Sequence, residues 1–592
     1  MIKTEHTISR RGFLGLGAAT ALFGGAAMAG CAPQPKNTAG ADQIDDNQTA
    51  LGGSEWFGTP AEVNEADIVR TENTGVLIVG AGNGGMACAA SCADLGLDFM
   101  ICEKNATVEA ARGFFGVVNS DCAQAAGVEV DPLKLQNELS RYAGFKNDPR
   151  VAKVWIDESA ETKQWLDTIM NPLGFKATLC LHEHLGDGGT DYYIPPISHV
   201  YVADESIEPG ISLAKAGSLE LNVDWSRNQW LEEHINQLGH EVAFNHKLVK
   251  LEQNEEGAIT GAIFETPEGY VRVNASQGVV MATGGYAANA AMTRRLNPIL
   301  GQCITGNAFS PSATGEGIRI AMQIGAQLDA EPAPMIFNRG MVEPGVDAGY
   351  IDDSDEALFS GHIGQNGIGS QPFMKVDRRG RRIINESTPY DNIVFSAAGH
   401  EGGVWCMVFD ANAPEDVKRF STIGCSTGGM WMVNFETVDE WLAAIEQMMS
   451  ADIAPIKKAD TIEGLADQLG FTGSDKEAFL DQVDRYNAAY DAQHDDEFGK
   501  EPYRLSELRN PPFYGAWFGG SLLTTLQGLR IDEHMRVLDN DGKAMKGLFA
   551  VGDCSGSMFA NTYPELIVAS ACGRTLTFGR HVARYLAGEF SA

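Results

Sequence analysis

The 592-residue chain carries 44 Lys and Arg against 79 Asp and Glu, a formal charge of −35, with 44% hydrophobic residues and 67 glycines. That acidic balance excludes a nucleic-acid partner and docking on anionic lipid through a basic patch. The length allows two or more domains, each with a sizeable core.

At the amino end, Ser9-Arg10-Arg11-Gly12-Phe13-Leu14 is a twin-arginine export motif, followed by the weakly apolar Gly15 to Ala29. That run is too short and too rich in Gly and Ala to span a bilayer. Met28-Ala29-Gly30-Cys31 resembles a bacterial lipobox, with Met28 where leucine is usual. Residues 1–30 are therefore assigned as a signal peptide and Cys31 as the lipidated first residue of a cell-envelope lipoprotein; the alternative is cleavage near Ala29 without lipid. Residues 31–72, polar and aperiodic, form a flexible tether. No other run approaches 18 apolar residues, so membrane contact is expected through the lipid alone.

Thr74 to Glu103 sets the fold class. Val76 to Val79 reads as a strand buried on both faces, Gly80-Ala81-Gly82-Asn83-Gly84-Gly85 as a glycine turn, Met86 to Leu95 as an Ala-rich helix, and Phe99 to Cys102 as a second strand closing on Glu103. This is the dinucleotide fingerprint. Gly80 permits the turn, Gly82 and Gly84 keep the backbone open to a pyrophosphate, and Gly85 lets helix and strand pack closely. The helix start offers N–H groups and a positive dipole end. Glu103, 23 residues after Gly80, is placed to accept hydrogen bonds from a ribose.

Further along, residues 131 to 170 show helical spacing, and Val279 to Met281 reads as a strand running into a second glycine turn, Ala282-Thr283-Gly284-Gly285-Tyr286. Residues 330–508 differ in character, with Gly-rich loops, a β-like patch at Val376 to Asn385 and polar helices from Thr437 to His494, and are expected to form a separate α+β capping domain. Gly547 to Asp553 is a strand closing on Gly552-Asp553. An early fingerprint and a late Gly-Asp indicate FAD in a Rossmann-like α/β domain built from both chain ends, residues 73–329 and 509–592. The turn Ala110 to Ser120, carrying Arg112 and Gly113, is assigned to the flavin ring, under which the corresponding loop runs in flavoproteins of this layout. Only one complete G-x-G-x-x-G exists, so electrons are expected from an external carrier such as a cytochrome.

These glycine turns and Gly552-Asp553, in this order over about residues 71–590, resemble the fumarate reductase and succinate dehydrogenase flavoprotein superfamily, which includes the 3-ketosteroid dehydrogenases. The resemblance is closer to the ketosteroid dehydrogenase branch. Where fumarate reductases carry His-His-Thr-Met-Gly-Gly, this chain has Leu523-Thr524-Thr525-Leu526-Gln527-Gly528. Where they carry Asn-Arg-Leu-Gly-Gly it has Asn561-Thr562-Tyr563-Pro564-Glu565, and in the Asn-Glu…Thr-Arg-Asp segment it has Asn385-Glu386-Ser387-Thr388-Pro389-Tyr390-Asp391. Losing Arg and His at all three places disfavours a small dianion, which needs fixed cations to replace its hydration. Tyr390 and Tyr563 fall on the two tyrosines of the ketosteroid dehydrogenase motifs, while Glu565 and Ile567 stand in place of that family's glycines.

The resemblance implies a flavoenzyme acting on CH–CH bonds: an ene-reductase for an enone or aryl enoate, steroid-like substrates included. Tyr563 and the Ile567 N–H are expected to hold the substrate carbonyl oxygen, Tyr390 to protonate the α-carbon and Glu386 to relay protons. The competing readings are a ketosteroid dehydrogenase-type oxidase, a respiratory reductase of an unsaturated carboxylate, and a flavin electron-transfer lipoprotein without substrate chemistry. Beyond Cys31, ten scattered cysteines lack any close CxxC pair, and neither a disulfide, an iron–sulfur cluster nor another metal site is expected.

Overall fold

The computed structural model describes residues 56–181, 192–203, 211–212, 223–361, 365–420, 438–450 and 454–590. The expected signal peptide, Cys31 and the tether up to residue 55 lie outside the described residues.

The chain enters its main sheet earlier than its sequence suggests. β1 (Ile68–Val79) starts within the stretch expected to be tether. Its polar first half, Ile68 to Asn73, pairs in parallel with Tyr270 to Asn274, and only the second half, Val76 to Val79, is fully buried. An exposed, charged half-strand resembles a linker in sequence because its stability comes from a ladder partner some 200 residues away.

After β1 the chain forms α1 (Asn83–Asp94) and β2 (Phe99–Cys102), the βαβ unit that the glycine spacing predicts. α1 is buried along most of its length, Ala87, Cys88, Ala89 and Ala90 included. Small side chains let it sit against both the sheet and the last helix. Residues 131–170 resolve into two helices, Pro132–Tyr142 and Pro149–Met170, each opened by an aspartate, Asp131 or Asp148, whose side chain accepts first-turn N–H groups, with proline in the first turn. β3 (Gly269–Met281) lies parallel to β1 on the side opposite β2. β6 (Ala544–Ala550) adds to β3, also in parallel, and α3 (Ser570–Leu586) packs across α1. Both chain ends thus build one eight-stranded sheet, as the α/β reading requires.

A six-stranded sheet forms the second layer. It includes β4 (Pro334–Val342), the strands Met374–Val376 and Trp405–Phe409, and the central β5 (Phe513–Thr525), with α2 (Tyr390–Ala397) packed against it. This sheet extends beyond the expected 330–508 segment at both ends, since Ile304–Asn307 and β5 are strands of it. β5 is buried along nearly its whole length, and its apolar run reads equally well as a nucleotide-domain strand; pairing with four neighbours decides the matter. Its core stacks Phe409 on Tyr514 and Trp405 on Phe518.

Gly85 is the tightest point of the βαβ unit: a Cβ built there would lie 1.8 Å from the Gly80 carbonyl oxygen. Gly85→Ala therefore forces α1 off β1 and is expected to cost about 1–3 kcal/mol or more. The variant should purify with a reduced 450/280 nm absorbance ratio and a lower thermal midpoint than wild type; an unchanged ratio and midpoint would refute this packing.

Candidate active site

A cavity of about 590 Å³ runs along the carboxyl ends of the parallel strands, the place where open α/β sheets bind ligands. Gly80, Gly82 and Gly84 of the first turn, Glu103 at the end of β2, and Gly284 and Gly285 of the second turn line it. Gly552, Asp553, Arg112 and Gly113 complete this half. Gly85 lies behind, at the helix–strand contact.

The residues fit FAD. A Cβ placed on Gly82 or Gly284 meets nothing within 4 Å, so the backbone at both turns faces open space that side chains elsewhere would fill. α1 begins with Gly82 at its N-cap and no side-chain cap, leaving its first-turn N–H groups to the cavity. The Glu103 carboxylate is held by two backbone donors, Ala81 N–H at 2.7 Å and Asn105 N–H at 2.8 Å, which fixes its orientation for a ribose. Next to it, Lys104 donates to the Ser312 carbonyl at 2.7 Å and pairs with Glu316 at 2.5 Å, closing the adenosine end. At the opposite end, Asp553 accepts from Thr524 Oγ1 at 2.8 Å and from the Arg574 guanidinium at 3.3 Å. Arg574, fully buried in α3, also donates to the Gly552 carbonyl at 2.9 Å and so fixes the Gly-Asp turn.

Sequence reading did not single out the pair that supports the flavin loop. Arg227 and Asp224, both fully buried, meet at 2.7 Å. Arg227 then donates to the Arg112 carbonyl at 3.3 Å and to Cys572 Sγ at 3.2 Å. Burial pushes the Asp224 carboxyl up to about 6, even with Arg227 opposing it. The sequence signal, Asp224 and Arg227 spaced i, i+3 at a helix start, is indistinguishable from a surface pair.

Past the glycine turns the cavity changes character. Met335, Phe337, Arg339, Gln365, Leu523 and Tyr563 form this end. Tyr563 is present as expected, its N–H donating to the Pro334 carbonyl at 3.1 Å and its hydroxyl to the Ile567 carbonyl at 3.4 Å. The expected donor Ile567 N–H is engaged elsewhere, bonded to the Pro564 carbonyl at 3.0 Å within a turn. Ile567 is also not part of the cavity wall.

Tyr390, 1% exposed, stands one layer back. Its ring packs against Phe337 at 4.8 Å between centroids, and Phe337 is the residue that reaches the cavity. Glu386 is more remote. It is buried in an ion cluster with Arg382 at 2.8 Å and Lys500 at 3.3 Å, and Arg382 extends the cluster to Asp495 at 3.0 Å. Burial raises its carboxyl, but Lys500 and Arg382 outweigh that and hold it at about 2, so it stays ionised throughout the physiological range. A carboxylate this strongly held does not exchange protons near neutral pH. It stands outside the cavity wall, beside Arg382 and Lys500 in the second layer.

The sequence comparison overlooked one cation at the reacting end. Arg339 lies in β4, a nine-residue strand that is buried throughout. Its Nε donates to Ser370 Oγ at 2.6 Å and its Nη1 to Gln365 Oε1 at 3.2 Å, while the guanidinium sits 4.6 Å over the Phe337 ring. A buried Asn338-Arg339 pair inside a mostly apolar strand was the available signal, and it falls outside the three motifs that discriminate the family's branches.

The family described as FAD binding domain matches residues 75–565. The vinyl phenol reductase of Lactiplantibacillus plantarum is 26% identical over 539 residues, covering 88% of this chain and 98% of its own. The fumarate reductase (cytochrome) of Shewanella frigidimarina is 22% identical over 529 residues, covering 87% of this chain and 76% of its own. Among solved structures, the 3-ketosteroid Δ1-dehydrogenase of Sterolibacterium denitrificans superposes with a TM-score of 0.64 at 19% identity, over 88% of this chain and all (100%) of that one.

Arg227→Leu leaves the Asp224 carboxylate buried without its cation, a change worth about 3–5 kcal/mol for a buried pair. The variant is expected to lose thermal stability and to release FAD more readily under dilution. A flavin content and unfolding midpoint equal to wild type would show that the pair does not support the Arg112 loop.

Proposed function

The chain belongs to the FAD-binding family of the fumarate reductase and succinate dehydrogenase flavoproteins, and from that premise we propose that it is a reductase of α,β-unsaturated carbonyl compounds with an apolar body, aryl enoates and enones among them. The observation carrying this reading is the composition of the reacting end: three apolar walls, Met335, Phe337 and Leu523, around one phenol, Tyr563, and one guanidinium, Arg339. The similarity to a vinyl phenol reductase, nearly full length on both sides, supports a C=C substrate on an aromatic body.

FAD supplies hydride transfer to or from carbon. The chain has to orient the alkene, hold the oxygen on which charge develops and deliver a proton. In reduction, hydride reaches the β-carbon and the electron pair of the C=C bond moves toward the carbonyl oxygen, giving an enolate. Arg339, fixed by Ser370 and Gln365, is the donor for that oxygen. A preorganised donor at such a position is worth about 3 kcal/mol. Tyr563 lines the cavity, and its hydroxyl, which donates to the Ile567 carbonyl at 3.4 Å, has to turn from that long bond to give its proton to the α-carbon, regaining one from solvent once product has left. Tyr390 backs Phe337 and keeps the aromatic wall in place, a supporting role instead of the donor role its motif suggested. The apolar walls exclude water, which strengthens both polar contacts.

The same residues serve dehydrogenation in reverse. Reduction is proposed as the working direction because the chain has a single dinucleotide fingerprint and a twin-arginine leader, so electrons enter from an external carrier. A cytochrome at the cell envelope fits that role, in keeping with the name of the fumarate reductase relative, and Cys31 would hold the protein at the membrane there.

Purified holoprotein with dithionite-reduced viologen, challenged with enones, cinnamates, urocanate and fumarate, tests this. Oxidation of viologen with cinnamates or enones is expected; oxidation with fumarate alone, or with no acceptor, overturns the reading. Arg339→Met should raise KM for a cinnamate at least tenfold while changing KM for a neutral enone far less. Tyr563→Phe should lower kcat by about 10²–10⁴-fold, the usual contribution of a positioned acid.

A further inference from the structure

Tyr563 and Tyr390 are carried by separate segments: a loop after the main sheet and the first turn of α2, which packs on the second sheet. Two side chains that flank Tyr563 cross from its segment to the second layer. Glu565, two residues after Tyr563, is 1% exposed and accepts the Tyr390 backbone N–H at 2.5 Å. Thr562, the residue before Tyr563, donates its hydroxyl to the Pro334 carbonyl of β4 at 3.4 Å, while Asp391, next to Tyr390 and fully buried, accepts the Tyr142 hydroxyl at 2.8 and 2.9 Å.

The chemistry of α2 explains why such a crossing is stabilising. Its N-cap is Pro389, which provides no side-chain acceptor for the first-turn N–H groups. Glu565 supplies the missing cap from another part of the chain, and the positive end of the helix favours a carboxylate there. Cap and carboxylate are both removed from water, where such a bond is stronger than on a surface.

We propose that Glu565, bonded to the N-terminus of α2, and Thr562, bonded to β4, form a clamp that sets the position of Tyr563 in the cavity wall relative to the Tyr390–Phe337 layer behind it, making both positioning residues for the reaction. The proposal deepens the reductase reading, and its catalytic consequence rests on that reading. It also gives a reason for the departure at residue 565, where the ketosteroid dehydrogenase motif has glycine: a glycine there has no carboxylate to reach α2.

The test compares Glu565→Ala, Glu565→Gln and Thr562→Val with wild-type holoprotein. Thr562→Val removes one arm without leaving a buried charge, so it remains informative where Glu565→Ala fails to fold. Two readouts are taken: kcat and KM with the best acceptor of the panel, and the perturbation of the flavin absorbance on titration with cinnamate, which requires no turnover. The clamp predicts that Glu565→Ala and Thr562→Val lower kcat at least tenfold and weaken cinnamate binding several-fold. Glu565→Gln, which keeps an acceptor for the Tyr390 N–H, should restore at least half of kcat. Folded Glu565→Ala or Thr562→Val within twofold of wild type in both readouts would overturn the clamp. If wild type turns over no acceptor yet the two variants lose cinnamate binding, the reductase reading fails and the clamp stands.

Discussion

The architecture depends on one steric constraint, the approach of backbone to backbone at the first glycine turn. With 1.8 Å between a notional Cβ on Gly85 and the Gly80 oxygen, α1 sits as close to β1 as a helix can. That closeness puts an uncapped helix N-terminus directly over the carboxyl end of the sheet, where Glu103 closes one side and the Gly552-Asp553 turn the other. The remaining charged groups near the cofactor serve this arrangement. Arg574 ties down the Gly-Asp turn and Arg227 ties down the Arg112 loop. Both are fully buried and both spend donors on backbone carbonyls, which makes them rigid supports for the loops they hold.

Buried charge is used differently in the two layers. Around the cofactor, the cations hold loops whose backbone must face a ligand. In the second layer, Arg382, Glu386, Asp495 and Lys500 form a self-contained cluster whose members satisfy one another, with Lys500 also bonding the Tyr486 hydroxyl at 2.6 Å. Lys375 lies beside it, brought down to about 7 by burial. Such a cluster fixes the geometry of the layer more than it adds stability, because its desolvation cost is large. Glu386 is close to Tyr390 in sequence, but its ion pairs and the Lys375 N–H it accepts at 3.2 Å tie it to the Met374–Val376 strand of the second sheet.

The nucleotide half of the site was legible in the sequence because its requirements are local. A glycine turn between a buried strand and an Ala-rich helix, an acid at the end of the next strand, and a late Gly-Asp are each set by contacts with near neighbours or by the cofactor's own shape. Gly82, Glu103, Gly284 and Asp553 accordingly line one cavity. The substrate half was less legible because its members come from β4, β5 and the loop at Tyr563, brought together only by sheet pairing. Nothing near Arg339 in sequence announces a cavity, and nothing near Ile567 announces that Pro564 takes its N–H. The early start of β1 has the same cause: Ile68 to Asn73 is a strand by virtue of Tyr270 to Asn274.

Arg339 also changes the chemistry inferred from the missing motif residues. Absence of Arg and His at three family positions argues against a clamp for two carboxylates, and beside Met335, Phe337 and Leu523 the cavity wall carries one guanidinium, Arg339. A second acid group on the substrate would have to be buried against these apolar side chains, at a cost of several kcal/mol without a partner. A single carboxylate or carbonyl oxygen, by contrast, meets a donor already held in place by Ser370 and Gln365, and its aromatic or aliphatic body meets the walls. The guanidinium lies over the Phe337 ring, 4.6 Å from its centroid, where the negative face of the ring helps to hold the cation in place. In the proposed reductase, selection between a diacid and an apolar enoate follows from where one cation stands and what surrounds it, a property of the folded pocket that no count of arginines in motifs can supply.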